Sequence, residues 1–365
     1  MSKLLASNVE HKLDDLLFEE DDLSTYDIYV WGTGNTTTLY QQGFKRLERE
    51  GFCIQGYVDN DCQKWGKIYE GKVILSPKAV SNLDNVLVLI STPQPDIVKL
   101  ISMQLEEMNV KWRHIDSYIL KKHSNEVKQV YDLFDDERSR DIYEKLLTCH
   151  INGLYPGDDV VTHEQYFSFS NFGEYNAREF FVDCGAFVGD SLEKFIWAKD
   201  GIFEKIIAFE PDYKNFTAMK NRLRRLRMEW NINEQQIEIY PYAVGRHTGS
   251  ISVEHYEKNN GFGTKIRESS NSEEDAGKIV SLDDFIKDPV TFLKADIESY
   301  EYEMLMGAQK IIKEQSPKLA ICIYHNSVDF YQIPLLLKEL QPKYKLAVRH
   351  YTHMLSETVL YAYVD

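Results

Sequence analysis

Strand-length apolar runs and helix-period stretches follow one another along this chain in two separate series. Ahead of the first, Val9, Leu13, Leu16 and Leu17 recur at helical spacing among acids. They predict a short amphipathic helix over residues 7–20, a packing or dimer surface that would serve a homo-oligomer. The first series begins at Tyr26 with an apolar run at Ile28 to Trp31, the glycine turn Gly32-Thr33-Gly34, a helix over Thr38 to Glu50, and a strand from Cys53 to Val58 that ends in Asp59. Strands at Val73 to Leu75, Val86 to Ile90 and Trp112 to Ile115, with a helix over Ile97 to Met108, complete a small parallel α/β unit that ends near residue 120.

The polar break Lys121 to Asn125 opens a connector: two helices over Glu126 to His150, then a Gly/Pro/Asp loop at Gly153 to Asp159. A second α/β series starts at Phe180. Its strands fall at Phe181 to Cys184, Ile206 to Glu210, Ile237 to Tyr240, Phe292 to Asp296 and Leu319 to Tyr324, with a hairpin near Ile251 to Ile266. Helices are expected from Ser191, over Lys214 to Arg227, at Leu282 to Ile286 and near Phe330 to Leu340. The closing strands, Tyr344 to His350 and Thr358 to Val364, have a link too short for a crossover, so they pair antiparallel. The pattern divides the chain into residues 1–25, 26–120, 121–179 and 180–365.

Composition narrows the partners. With 42 basic against 58 acidic residues the formal charge is −16, which repels phosphate backbones and disfavours nucleic acid. The longest apolar runs have strand length, so no membrane span is expected, and the polar N-terminus carries no secretory signal, which places the protein in the cytoplasm. Five scattered cysteines without a Cys-x-x-Cys pair suggest neither a disulfide framework nor a zinc site; Cys184 and Cys322 read as small buried hydrophobes.

The chemistry concentrates in Phe181-Val-Asp183-Cys-Gly185-Ala186-Phe-Val-Gly189-Asp190-Ser191, followed by Ile207-Ala-Phe-Glu210-Pro211-Asp212 and Asn215. An acid closing the first strand, a small-residue turn into a helix and a second acid closing the next strand make a nucleoside pocket, with Glu210 placed to accept both ribose hydroxyls. The turn lacks the Gly-x-Gly-x-x-Gly spacing of a pyrophosphate site, and Asp183 would repel phosphates while welcoming an ammonium and a sulfonium. S-adenosylmethionine fits this better than a dinucleotide, its carboxylate being met by free N–H groups at the helix start.

With Tyr242-Ala243-Val244-Gly245, Ser281-Leu-Asp-Asp-Phe285 and Leu293-Lys294-Ala-Asp296-Ile-Glu298-Ser299-Tyr-Glu301 leading into Leu305-Met-Gly307-Ala308, residues 180–363 resemble the FkbM-family methyltransferases. These S-adenosylmethionine-dependent enzymes belong to polyketide tailoring and to bacterial glycan and polysaccharide gene clusters. The resemblance implies an α/β fold, a class I methyltransferase Rossmann-like seven-stranded sheet with an antiparallel last strand, beside a smaller N-terminal Rossmann-like domain. It implies a cofactor site at Asp183, Gly185, Ala186, Gly189, Asp190, Ser191, Glu210, Pro211, Asp212, Asn215, Ala243, Val244 and Asp296. It also implies methyl transfer to a hydroxyl of a sugar, nucleotide-sugar or glycan acceptor; N-methylation stays open. The family usually has glycine where Ser299 stands, which implies a slightly changed turn.

A hydroxyl acceptor must lose its proton. Lys294, Asp296 and Glu298 after the fourth strand, and His325 after the fifth, lie where such sheets hold ligands, and His325 is the favoured base. Asp296 with Glu298 could hold a divalent cation, but two carboxylates without a third clear oxygen ligand do not favour a metal. In the connector, Tyr166 and Phe167 of His163-Glu164-Gln165-Tyr166-Phe167 are candidates for a lid or for core, and Asn259-Asn-Gly-Phe-Gly263-Thr264 reads as a hairpin turn that could border the acceptor. At the N-terminal turn Gly32, Gly34, Asn35 and Asp59 imitate a dinucleotide fingerprint whose third glycine position is Thr37. That unit resembles the small Rossmann-like domains attached to bacterial sugar-modifying enzymes, which implies a nucleotide or nucleotide-sugar ligand; a scaffold or dimerisation role is the alternative. Two rival functions follow: an NAD(P)- or nucleotide-sugar-dependent enzyme working through this unit, and a non-catalytic S-adenosylmethionine-binding protein.

Overall fold

A computed structural model describes residues 12–167, 169–255, 264–268 and 277–365. Residues 12–17 form a helix (α1) that buries Leu13 and Leu17. The first α/β unit follows, with strands β1 (Asp27–Trp31), β2 (Ile54–Val58), β3 (Ile68–Tyr69), β4 (Lys72–Leu75), β5 (Val86–Ile90) and β6 (Lys111–His114), and helices α2 (Asn35–Glu48), α3 (Pro77–Val80) and α4 (Pro95–Glu107). The sheet order is β3-β4-β2-β1-β5-β6, parallel apart from the β3–β4 hairpin. Strand β5 reads Val-Leu-Val-Leu-Ile and is buried at every position, as an inner parallel strand covered on both faces must be.

Helices α5 (Ile115–Lys122), α6 (Ser124–Leu133) and α7 (Glu137–Asn152) come next, with α5 starting directly after β6. The polar run expected as a break is the junction of α5 and α6, with His123 alone between them. These helices are a wall of the core. Val127, Val130, Ile142, Leu146 and Leu147 recur at helical period and are all fully buried. Ser139 Oγ accepts from Val348 N at 2.9 Å, and Tyr143 Oη donates to the Phe330 carbonyl at 3.0 Å.

After a short helix α8 (Ser170–Gly173), the second unit comprises β7 (Phe180–Cys184), α9 (Asp190–Ala198), β8 (Lys205–Phe209), α10 (Tyr213–Trp230), β9 (Ile237–Tyr240), β10 (Tyr242–Val244), β11 (Gly249–His255), β12 (Thr264–Glu268), β13 (Gly277–Val280) and α11 (Leu282–Phe285). It closes with β14 (Phe292–Ala295), α12 (Glu301–Met306), α13 (Gln309–Gln315), β15 (Lys318–Cys322), α14 (Asp329–Leu340), β16 (Lys345–His350) and β17 (Thr358–Tyr363). Seven strands form one sheet in the order β16-β17-β15-β14-β7-β8-β9; β17 is antiparallel to β16, as the short link predicted, and also to β15. The expected hairpin is β11–β12, extended by β13 and β10 into a separate four-stranded sheet; the Asn259 to Gly263 turn lies outside the described residues.

One apolar cluster runs through both units, from Leu13, Val30 and Leu89 through Val127 and Leu146 to Leu293, Leu337 and Leu360. Arg46 of α2 forms an ion pair with Asp329 at the start of α14, their side chains 3% and 0% exposed. The guanidinium also stacks 4.7 Å over the Tyr302 ring. No helix among the described residues is long and apolar enough to cross a membrane.

Candidate active site

Two loops at the carboxyl ends of β7 and β14 meet so closely that one of them must be glycine. Gly185 has φ +84°, and a Cβ there would stand 1.9 Å from the Asp296 carbonyl oxygen. The turn continues through Phe187 and Gly189 into α9. The Phe187 N–H donates to Glu210 Oε2 at 2.9 Å, and the Asp212 N–H donates to Oε1 at 2.9 Å, so Glu210 at the end of β8 is fixed by two backbone donors. Burial pushes its carboxyl up to about 7 against the lowering effect of those donors.

Asp183 does not face the cleft. Its carboxylate is fully buried, accepts the Ser191 hydroxyl, and lies 3.0 Å from Lys294 Nζ, which also donates to the Gly185 carbonyl at 2.8 Å. Burial opposes charge on the lysine, but the Asp183 carboxylate outweighs it and holds Lys294 protonated. The pair ties β7, β14 and the glycine turn together.

Beyond β14 the backbone takes two left-handed residues in succession, Glu298 at φ +54° and Ser299 at φ +76°. The latter is the position where glycine was expected. This bend starts α12 so that Glu301 reaches back and accepts the Ile297 N–H at 2.8 Å. His325, after β15, is 2% exposed and lies behind the cleft wall, with Nδ1 3.1 Å from Glu301 Oε1 and Nε2 3.5 Å from Asp296 Oδ1 and 3.9 Å from Glu298 Oε2. Burial disfavours the imidazolium, yet Glu301, with Glu298 and Asp296, outweighs burial and pushes His325 up to about 10. Asp296 accepts from the Tyr166 and Tyr324 hydroxyls at 3.2 and 3.1 Å. Tyr324 also donates to Glu357 at 3.3 Å, and Gln165 reaches Glu357 at 2.5 Å.

These groups enclose a cleft of about 500 Å³. Of the residues nominated from sequence, Gly185, Asp190, Ser191, Glu210, Pro211, Asn215, Ala243, Val244, Lys294, Asp296 and Glu298 line it. Asp183, Ala186, Gly189, Asp212 and His325 stand behind the lining; Asp212 caps α10 by accepting the Asn215 N–H at 2.9 Å. Of the lid candidates, Tyr166 lines the cleft and Phe167 packs in an aromatic core with Phe181, Phe195 and Phe292. Tyr242, Tyr300, Tyr324, Gln165 and Glu357 also line the cleft without having been nominated. Tyr242 and Tyr300 sit inside the quoted motifs and Tyr324 immediately precedes His325. Gln165 sits inside the quoted run that supplied Tyr166, whereas Glu357 carried no local signal, because only tertiary packing brings it to Gln165.

At the N-terminal turn, Gly32 has φ +110° and Gly34 caps α2, where Asn35 begins the helix. The Asp59 carboxylate, the acid of the imitated fingerprint, accepts the Thr33 hydroxyl at 2.5 Å and Lys64 Nζ at 2.8 Å.

A seven-stranded sheet in this order with one reversed strand carries a ligand-sized cleft at the carboxyl ends of its parallel strands. Residues 183–344 match the family model of the methyltransferase FkbM domain, so this part of the chain is an FkbM methyltransferase domain. Residues 24–115 match a second family model, described as C2185-like, N-terminal. Among solved structures, the methyltransferase FkbM of Methylobacillus flagellatus KT has a TM-score of 0.59 at 21% identity, over 98% of this chain and 99% of that one. It therefore shares the fold of both units. An rRNA methylase from Streptococcus thermophilus matches 56% of this chain and 100% of its own with a TM-score of 0.35 at 14% identity. Aeropyrum pernix fibrillarin, in complex with S-adenosyl-L-methionine, matches 51% of this chain and 67% of its own with a TM-score of 0.32 at 11% identity. No curated protein gives a significant sequence match.

Proposed function

We propose that the cleft binds S-adenosylmethionine with its ribose on Glu210 and its methionine end over the Gly185 turn, and that the methyl group passes to a sugar-type hydroxyl held at the Asp296–Glu298 end. The observation that carries this reading is one cleft lined both by Glu210, fixed by two backbone donors, and by carboxylates that accept from tyrosine hydroxyls. Methyl transfer from a sulfonium is an in-line displacement, so the protein has to align the acceptor, exclude water and receive one proton. Asp296 and Glu298 stand on the wall, 24% and 43% exposed, where an acceptor hydroxyl can reach them. His325 contacts both from behind and acts through them, as positioning group and charge partner. The Tyr166 and Tyr324 hydroxyls donate to different oxygens of Asp296 and hold it in its working orientation.

The acceptor end carries Asp296, Glu298 and Glu357, while the cleft's Lys294 is already paired with Asp183. A neutral sugar or glycan hydroxyl suits that wall better than a nucleotide-linked sugar, whose phosphates it would repel. The reading places the enzyme in the cytoplasm, with the N-terminal unit as scaffold or dimer surface, since Asp59 is engaged by its own neighbours. Incubation with methyl-labelled S-adenosylmethionine and a panel of sugars, nucleotide sugars and amines tests it. A methyl ether on an uncharged sugar is expected; transfer to amines alone would overturn the hydroxyl assignment.

A further inference from the structure

The sequence offers two carboxylates for a cation, and the fold supplies the donors that were missing. Asp296, Glu301 and His325 each bring a ligand atom to one place, all three lying within 4.8 Å of one another. They come from different elements: the loop after β14, the first residue of α12 and the loop after β15. Their local contacts leave them poised. Glu301 is fully buried; one oxygen accepts the Ile297 N–H, and Oε2 has no hydrogen-bond partner among the described residues. Both ring nitrogens of His325 likewise lack a hydrogen bond, the approaches to Glu301 and Asp296 falling outside hydrogen-bond geometry. Buried polar atoms are almost always satisfied, so an orphaned imidazole and an orphaned carboxylate oxygen at one point indicate a missing partner. Three carboxylates, Asp296, Glu298 and Glu301, lie within 3.9 Å of that imidazole, a setting that favours a cation, met either by the proton on His325 or by a metal ion that displaces it.

We propose that Asp296, Glu301 and His325 bind one divalent metal ion at the acceptor end of the cleft. A donor set of one imidazole and two carboxylates suits a first-row divalent ion such as Mn²⁺ better than Ca²⁺, which takes six to eight oxygens. The hydroxyls of Tyr166 and Tyr324 on Asp296 have the role that outer contacts have around metal ligands, fixing the orientation of the carboxylate. Once bound, the ion would fix the orientation of Asp296, the ligand of the three that lines the cleft, toward an acceptor hydroxyl.

The site rests on the proposed function only in its location, because binding is read without cofactor or acceptor. Mn²⁺ titrated into the full-length protein is followed by loss of the free-ion EPR signal. One ion per chain, held at about micromolar concentration, is expected. His325→Gln and Asp296→Asn should each weaken it tenfold or more. Asp296 lies on the wall, so its variant tests the site even if His325→Gln fails to fold, and thermal melts identify folded variants. No saturable binding up to about 1 mM overturns the site. So does an ion held equally well by both variants, which would place it among the surface acids of a chain with net charge −16. S-adenosylhomocysteine binding without Mn²⁺ binding would leave the methyltransferase reading standing and remove the metal; the reverse result would do the opposite.

Discussion

Glu210 can receive ribose hydroxyls only as a carboxylate, and its carboxyl is pushed up to about 7 by burial. Binding of S-adenosylhomocysteine must therefore drive off a proton at acidic pH. Affinity is expected to fall about tenfold per unit below pH 7 and to be level above it, a dependence that titrations at several pH values would detect and that Glu210→Gln would abolish. For the unliganded fold the sign is opposite. The folded value lies above the ordinary 4.5, so this group's contribution to stability is full below 4.5 and is lost as pH rises through about 7. Glu210→Ala should cost about 1 to 3 kcal/mol of cofactor affinity through lost charge-assisted hydrogen bonds. Ser299 gives a second test at this scale. At φ +76° a serine pays a backbone cost that glycine does not, so Ser299→Gly should raise stability by about 1 kcal/mol, seen as a higher melting temperature. A lower one would mean that the contact of its hydroxyl with Asn326, at 3.5 Å, outweighs the strain. Individual acids at strand ends were legible in the sequence because an acid ending an apolar run is unusual. Whether an acid faces the cleft or lies beneath it was not, since Asp183 and Glu210 look alike until Lys294 is seen to claim the first.

Among the elements, the turn from β7 into α9 tolerates least change. A side chain at Gly185 would have to displace the Asp296 carbonyl, and with it the loop that carries Glu298 and leads to α12. Gly185→Ala is expected to abolish S-adenosylhomocysteine binding and to lower the melting temperature by several degrees; unaltered binding would mean that the two loops can separate without harm. The strands of both units were readable because inner parallel strands are largely continuous apolar runs, as at β5 and β8. The antiparallel β16–β17 pair followed from the length of its link. The two-residue β3, the four-residue α3 and the four-stranded sheet around β13 were not readable. Elements this short take their conformation from their neighbours more than from their own periodicity.

For the whole molecule, the shared core says more than the succession of units in the sequence. Hydrophobic periodicity marked α6 and α7 as helices but not what they cover; their apolar faces close a cluster that runs through both α/β units, and Arg46 crosses between α2 and α14 to Asp329. Unfolding is therefore expected as one cooperative transition by both fluorescence and circular dichroism, and two separated transitions would contradict a common core. Arg46→Ala leaves the Asp329 carboxylate buried without its partner and should destabilise the protein by about 3 to 5 kcal/mol. The central claim, that the second unit holds S-adenosylmethionine in the cleft between Glu210 and Asp296, is tested most directly by calorimetric titration of the intact protein with S-adenosylhomocysteine and, separately, with NAD. One S-adenosylhomocysteine per chain, bound more weakly by Glu210→Ala and unaffected by Gly34→Val, is the predicted result. Failure to bind it, with NAD bound in a manner that Gly34→Val abolishes, would contradict the account and move the activity to the N-terminal unit.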